Sequence, residues 1–302
     1  MPFTLSHAAA VLPLLRRSGR ARGPLVAPAL VAGSFAPDLT YYAGSLVPGA
    51  TAFGGVTHSL AGVLTVDVLL SAVLVGAWPV LREPLAVLVP ARWRRRVYGA
   101  ARGRPGRGLP WWRRAFWFWV SAALGAATHV VWDAFTHPGR WGVRLVPPLG
   151  ETVAGYPLHF WVQYGSSALA LVILTVAVVT AVRRAPEAVG VESAPRPAGA
   201  GRWTGAVFLG GCALAGAVHR CVRQHALTGW EYTLVDYAPA ALFGAGAGLA
   251  AGLVARAAAV RIGRRVRRGR RRAGSPGAAR PAGAVPGAGT GGTTGDGAAR
   301  GG

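Results

Sequence analysis

The chain is written in long apolar runs separated by short arginine-rich stretches. Five runs, 59–81, 115–135, 160–182, 203–222 and 237–260, reach the length a helix needs to cross a bilayer core, about 20 mostly apolar residues. Two shorter apolar pieces, 3–15 and 24–42, precede them. At 1.5 Å per residue the first covers only roughly 20 Å. The two pieces therefore predict a hairpin dipping into the membrane, or two short tilted spans. The expected fold is all-α: a polytopic transmembrane helical bundle with five full spans, two short N-terminal helices and a disordered basic C-terminal tail. Four regions follow from this pattern. Residues 1–182 form an N-terminal membrane region, 183–202 a flexible Pro/Ala/Gly linker, and 203–262 a two-helix membrane region. Residues 263–302 form an Arg/Gly/Ala-rich tail too polar and too simple to bury a core.

Composition supports the membrane over the cytosol. Mean hydropathy is +0.36 and only 14% of residues are charged, well below the roughly 25% of a soluble domain. The net charge is +23, and every one of the 33 basic residues is arginine. Heavy use of Ala, Gly, Arg and Pro with no Lys tracks a GC-rich coding sequence, so the choice of Arg over Lys carries no functional message. The arginines do carry topology. All but Arg140, Arg144, Arg220 and Arg223 fall on one side of a five-span bundle, and the positive-inside rule makes that side cytoplasmic. The C-terminal tail is then cytoplasmic. The charge needs no nucleic acid partner, and none is expected. Membrane lipid is the expected partner, with the arginines of 264–272 placed to touch anionic head groups. Cys212 and Cys221 form neither a CxxC pair nor a disulfide framework and are read as packing residues. Pro37 directly after Ser34-Phe35-Ala36 is a poor cleavage context, so the N-terminus is expected to stay attached.

That topology gathers six polar residues at the non-cytoplasmic ends of their segments: His7, Asp38, His58, His129, Asp133 and His137. His129, Asp133 and His137 are spaced i, i+4, i+8, which stacks them on one helix face. Pro138 cannot continue the helix, so His137 should sit at its last turn or just beyond. Asp38 follows an apolar run and Pro37, where it could instead cap a turn. His58 opens the run beginning at 59, with Thr57 or Ser59 as its N-cap. His7 begins the first short helix, with Thr4 or Ser6 as cap, and joins the others only if the N-terminal pieces form a hairpin. Imidazole and carboxylate suit a divalent transition metal, zinc first, and no thiolate is present to make a closed Cys-type site. The expected metal ligands are His7, Asp38, His58, His129 and Asp133, which should converge within a few ångströms. His137 is a further ligand or the proton-transfer residue of a catalytic centre. The spacing does not decide between one metal and two. Arg220 and Arg223, on the same side, are candidate substrate-binding residues for a phosphate or carboxylate, or else ion-pair partners of Glu231 or Asp236. His159, Glu151 and His225 lie on that side too. Asp67, well inside the first long run, needs a buried partner. The aromatic run from Trp111 to Trp119 marks the cytoplasmic interface.

The opening Met1-Pro2-Phe3-Thr4-Leu5-Ser6-His7, then Ala36-Pro37-Asp38, Thr57-His58-Ser59 and Trp132-Asp133-x-Phe135-Thr136-His137, resemble a bacterial family of uncharacterised membrane proteins, DUF4184. The same His/Asp skeleton is similar to the YdjM-like membrane-bound metal-dependent hydrolases. The resemblance covers roughly residues 1–260. It implies a multi-pass protein of the bacterial inner (plasma) membrane with a His/Asp centre. Two functions are open at this level: a metal-dependent hydrolase acting on a lipid or phosphoester at the outer leaflet, or a non-catalytic membrane protein whose His/Asp cluster is structural. Transport is a third, weakened by the lack of an internal repeat.

Overall fold

The computed structural model describes residues 3–102, 110–185, 199–229, 233 and 235–273. Among these the chain is helical almost throughout, apart from a two-residue hairpin pairing Thr152–Val153 with Tyr156–Pro157. In chain order the α-helices are α1 (Ala27–Gly33), α2 (Leu39–Ala43), α3 (Gly54–Thr57), α4 (Leu60–Leu64), α5 (Val66–Leu88), α6 (Ala91–Arg102), α7 (Trp111–Thr136), α8 (Trp141–Leu145), α9 (Leu158–Arg184), α10 (Gly199–Thr228) and α11 (Tyr237–Ala273). A 3-10 helix, Thr4–Leu14, precedes α1, and a short one, Ala36–Asp38, joins α1 to α2.

Among the described residues, four helices are long and apolar enough to cross a membrane: Trp111–Thr136, Leu158–Arg184, Arg202–Thr228 and Tyr237–Gly263. These match four of the five expected spans. The remaining run, 59–81, does not form one continuous rod. Ser59 caps α4, accepting from the Gly62 N–H at 3.0 Å. The helix then breaks at Thr65, whose φ of −128° and ψ of −78° leave the helical region. The Thr65 hydroxyl bonds back to the Ala61 carbonyl, and the Trp119 indole N–H donates to the Leu64 carbonyl at 2.9 Å. The continuous helix is therefore α5, shifted along the chain so that it includes Asp67 and Arg82.

The N-terminal pieces are shorter and more broken than expected. Pro13 lies inside the first helix, and Pro28 opens the turns of α1. The linker is trimmed at both ends, since α9 runs to Arg184 and α10 starts at Gly199; residues 186–198 lie outside the described residues. Likewise α11 runs on to Ala273, because its arginines are good helix formers, and the tail beyond 273 lies outside the described residues. Residues 261–302 form a unit separate from 1–260. Trp111, Trp112, Phe116 and Trp119 are exposed at the start of α7, as an interfacial belt requires.

The core that matters for the site is the crossing of α1 over α7. Ala29, Val63, Val68, Ala122, Ala123 and Ala126 form a buried cluster of mostly small side chains. Small residues let backbones approach closely where no water drives association. At Gly33 a Cβ would strike the Ala122 carbonyl, and at Gly125 it would strike the Leu30 carbonyl. The two helices therefore touch backbone to backbone. The Ser121 hydroxyl adds a pin, accepting from the Val26 N–H at 2.9 Å.

Candidate metal centre

Several local devices deliver the site residues. The α1–α7 contact brings the end of α1 against the middle of α7, at Ala122 and Gly125. The Ala36–Asp38 turn then sets Asp38 facing His129. Pro138 stops α7 at Thr136, and His137 follows in extended conformation. Asp38 precedes α2 but makes no capping hydrogen bond there. Its Oδ2 accepts instead from the Thr4 hydroxyl at 2.5 Å, so the N-terminal 3-10 helix is tied to the site. Thr57 donates to the Pro37 carbonyl at 2.8 Å and locks α3 onto the same turn.

Asp38, His58, His129 and Asp133 converge, with one ligand atom from each lying within 4.8 Å of all the others. His129 Nε2 stands 3.5 Å from Asp38 Oδ1 and 3.5 Å from Asp133 Oδ2. His58 Nε2 stands 3.3 Å from Asp133 Oδ2 and 3.9 Å from Asp38 Oδ1. All four residues are buried, and Asp38 and His129 are fully so. His7 lies on the same side as His129, stacked on its ring at a centroid distance of 3.7 Å, with Nε2 3.5 Å from Asp133 Oδ1. The expected hairpin geometry thus brings the N-terminus to the site.

The tautomers follow from the partners. His129 Nδ1 lies 2.8 Å from the Ser34 carbonyl, and His58 Nδ1 lies 2.9 Å from the Gly54 carbonyl. A carbonyl only accepts, so both Nδ1 atoms carry a proton, and in the neutral rings both Nε2 atoms present a lone pair. Those lone pairs face carboxylate oxygens, acceptor against acceptor. His58 Nε2, His129 Nε2, Asp38 Oδ1 and Asp133 Oδ1 are buried without a hydrogen-bond partner. Such a cluster is repulsive unless a cation or extra protons sit among these atoms. A cation fits by size. For metal–ligand bonds of about 2.05 Å, a tetrahedron has ligand–ligand edges of roughly 3.3 Å, close to the spacings above. Orientation of a metal-binding imidazole by a backbone carbonyl on its other nitrogen is the usual supporting arrangement.

The remaining candidates sit apart from this group. His137 is at the edge, its side chain 22% exposed, with Nδ1 3.8 Å from Asp133 Oδ1 and Nε2 3.3 Å from the Gln163 amide. Arg220 donates to the Tyr41 carbonyl and the Ser45 hydroxyl, and Arg223 to the Gly44 carbonyl. Both guanidinium groups hold the C-terminal end of α2, where helix carbonyls lack partners. Asp236 accepts from the backbone N–H and hydroxyl of Thr233, and Glu231 lies outside the described residues. His225 meets the Tyr237 hydroxyl at 3.0 Å. Asp67 is buried with neither carboxylate oxygen hydrogen-bonded, so the partner expected for it is not found among the described residues. Tyr41, outside the candidate spans, senses the centre: burial and then Asp38 push its phenol above the ordinary range, against the pull of Arg140.

Sequence reasoning did not find the carbonyls of Ser34 and Gly54 as orienting groups, nor Thr4 as the partner of Asp38 in place of a helix cap. Backbone atoms leave no residue-type signal. A search of curated proteins and a search of solved structures each return no match. A family model, "Domain of unknown function (DUF4184)", matches residues 1–258, and the chain belongs to that family.

Proposed function

We propose that the chain is a membrane metalloprotein that binds a divalent transition metal, zinc first, through Asp38, His58, His129 and Asp133, and uses it to hydrolyse a lipid or phosphoester at the non-cytoplasmic face. The observation that carries the metal is the pair of Nε2 lone pairs, fixed by the Ser34 and Gly54 carbonyls and aimed at two carboxylates. When bound, a divalent metal polarises a scissile bond and brings the pKa of its water to about 7. The residues divide the remaining work. The Asp38 and Asp133 carboxylates offset the cation charge. His137, at the exposed edge, is a further ligand or the group that passes a proton to the leaving atom. The arginine distribution supports a cytoplasmic side at the opposite ends of the spans, in a bacterial inner membrane.

The near-complete burial of the four residues favours one other reading, a structural metal that staples the N-terminal helices to α7, since closed sites are typically structural. Metal analysis of detergent-purified protein, wild type and His129→Ala/Asp133→Ala, tests the common ground. Stoichiometric metal in the wild type and none in the variant is expected. Metal retained by the variant, or absent from both, would falsify the site. Hydrolysis of lipid or aryl-phosphoester substrates by the metal-loaded wild type, lost on chelation and restored by added metal, separates the catalytic from the structural reading.

A further inference from the structure

The two oxygens of Asp133 face different sets of nitrogens. Oδ2 is 3.3 Å from His58 Nε2 and 3.5 Å from His129 Nε2, the group already described. Oδ1 is 3.5 Å from His7 Nε2 and 3.8 Å from His137 Nδ1. Asp133 Oδ1 is itself buried without a hydrogen-bond partner. His7 is fully buried, and neither of its ring nitrogens makes a hydrogen bond among the described residues. An imidazole held dry with both nitrogens unsatisfied is costly. Stacking on His129 satisfies neither atom.

We propose that the cluster is a two-cation centre bridged by Asp133, in which His7 Nε2, Asp133 Oδ1 and His137 Nδ1 hold a second divalent metal beside the Asp38/His58/His129/Asp133 position. The proposal rests on the first position holding a metal and adds a second. The two spacings from Oδ1, 3.5 and 3.8 Å, lie within the range of the contacts at the first position. Three protein ligands leave an open place, whereas the first position has four. The open position is also the wetter one: the His137 side chain is 22% exposed, against 1% for His58 and 0% for His129. His137 can serve after two adjustments. Its Nδ1 now lies 3.3 Å from the Asp133 carbonyl and 3.1 Å from the Thr136 hydroxyl, so the ring must turn Nδ1 away from that carbonyl. A half-turn of the Gln163 amide would then present an oxygen to Nε2–H and leave the Nδ1 lone pair for the metal. Paired cations about 3.5–4 Å apart clamp the attacking and leaving oxygens of an in-line displacement at phosphorus. The substrate class this favours is a phosphoester, in preference to a carboxylic ester.

The test is metal content and zinc titration of the full chain in detergent. Two equivalents are expected for the wild type, one for His7→Ala, and two for His219→Ala, a histidine outside both groups. Cobalt(II)-loaded wild type should show spin coupling in its electron paramagnetic resonance spectrum, and His7→Ala should lose it. One equivalent in the wild type, or two retained by His7→Ala, overturns the second position and leaves the proposed single-metal function standing. No metal in the wild type overturns that function itself. If His7→Ala is not recovered folded, the wild-type titration and coupling decide alone.

Discussion

Replacing Gly125 by alanine should damage the proposed metal centre without touching any of its side chains. The added Cβ would be driven into the Leu30 carbonyl and would also lie 2.9 Å from the Ser34 nitrogen. Ordinary contact begins at 3.4 Å, and both obstacles are backbone, which cannot rotate aside. α1 and α7 must therefore part by roughly 1 Å, since close-packed interiors have no void to absorb a methyl. Overpacking of this kind costs about 1–3 kcal/mol. The displacement falls directly on the orienting bond of His129, because Ser34 belongs to the segment that is pushed. Its 2.8 Å contact with Nδ1 would stretch beyond hydrogen-bonding range. Loss of such an orienting partner lowers metal affinity about 10–100-fold. Zinc competition titration and a thermal melt of purified Gly125→Ala read both effects. Gly165→Ala is the control, since a Cβ there meets nothing within 4 Å, and it should match the wild type. Wild-type melting and zinc affinity in Gly125→Ala would refute the claim that the helix crossing positions the ligand.

Two further outcomes follow from single contacts. Thr4→Val removes the donor to Asp38 Oδ2; a hydrogen bond to a charged group contributes about 1.5–3 kcal/mol, so the melt should fall and zinc should bind more weakly. Thr4→Ser should restore both, and failure of that rescue counts against the contact. Asp67→Val removes a buried carboxylate whose two oxygens have no partner, and should raise stability by about 1–3 kcal/mol in thermal or denaturant unfolding. A drop in stability would mean that Asp67 has a partner outside the described residues.

The legible part of the site was legible for specific reasons. His129, Asp133 and His137 share a helix, so their spacing alone puts them on one face, and Pro138 fixes where that face ends. Asp38, His58 and His7 were gathered by a topology argument built on arginines that take no part in the site. The structure brings all of them to Asp133. What failed was local detail at the first long apolar run. Hydropathy sees 59–81 as one segment, because it does not register a backbone break at Thr65 held by a hydroxyl and a distant tryptophan. The assignment of Thr4 as a cap failed similarly: a threonine near a helix start has two uses, and only a partner 34 residues away decides between them.

By itself the sequence determined the all-helical class, a chain apolar enough for a membrane, four of the five long apolar helices it predicted and the set of residues with ligand chemistry. Those properties depend on composition and on spacing within one helix, which the chain carries locally. Tertiary structure alone decided that Gly33 and Gly125 let two backbones touch, that the Ser34 and Gly54 carbonyls set the imidazole tautomers, and that the two Asp133 oxygens face different histidines. Those properties depend on distances between segments far apart in the chain, and on backbone atoms that every residue possesses alike.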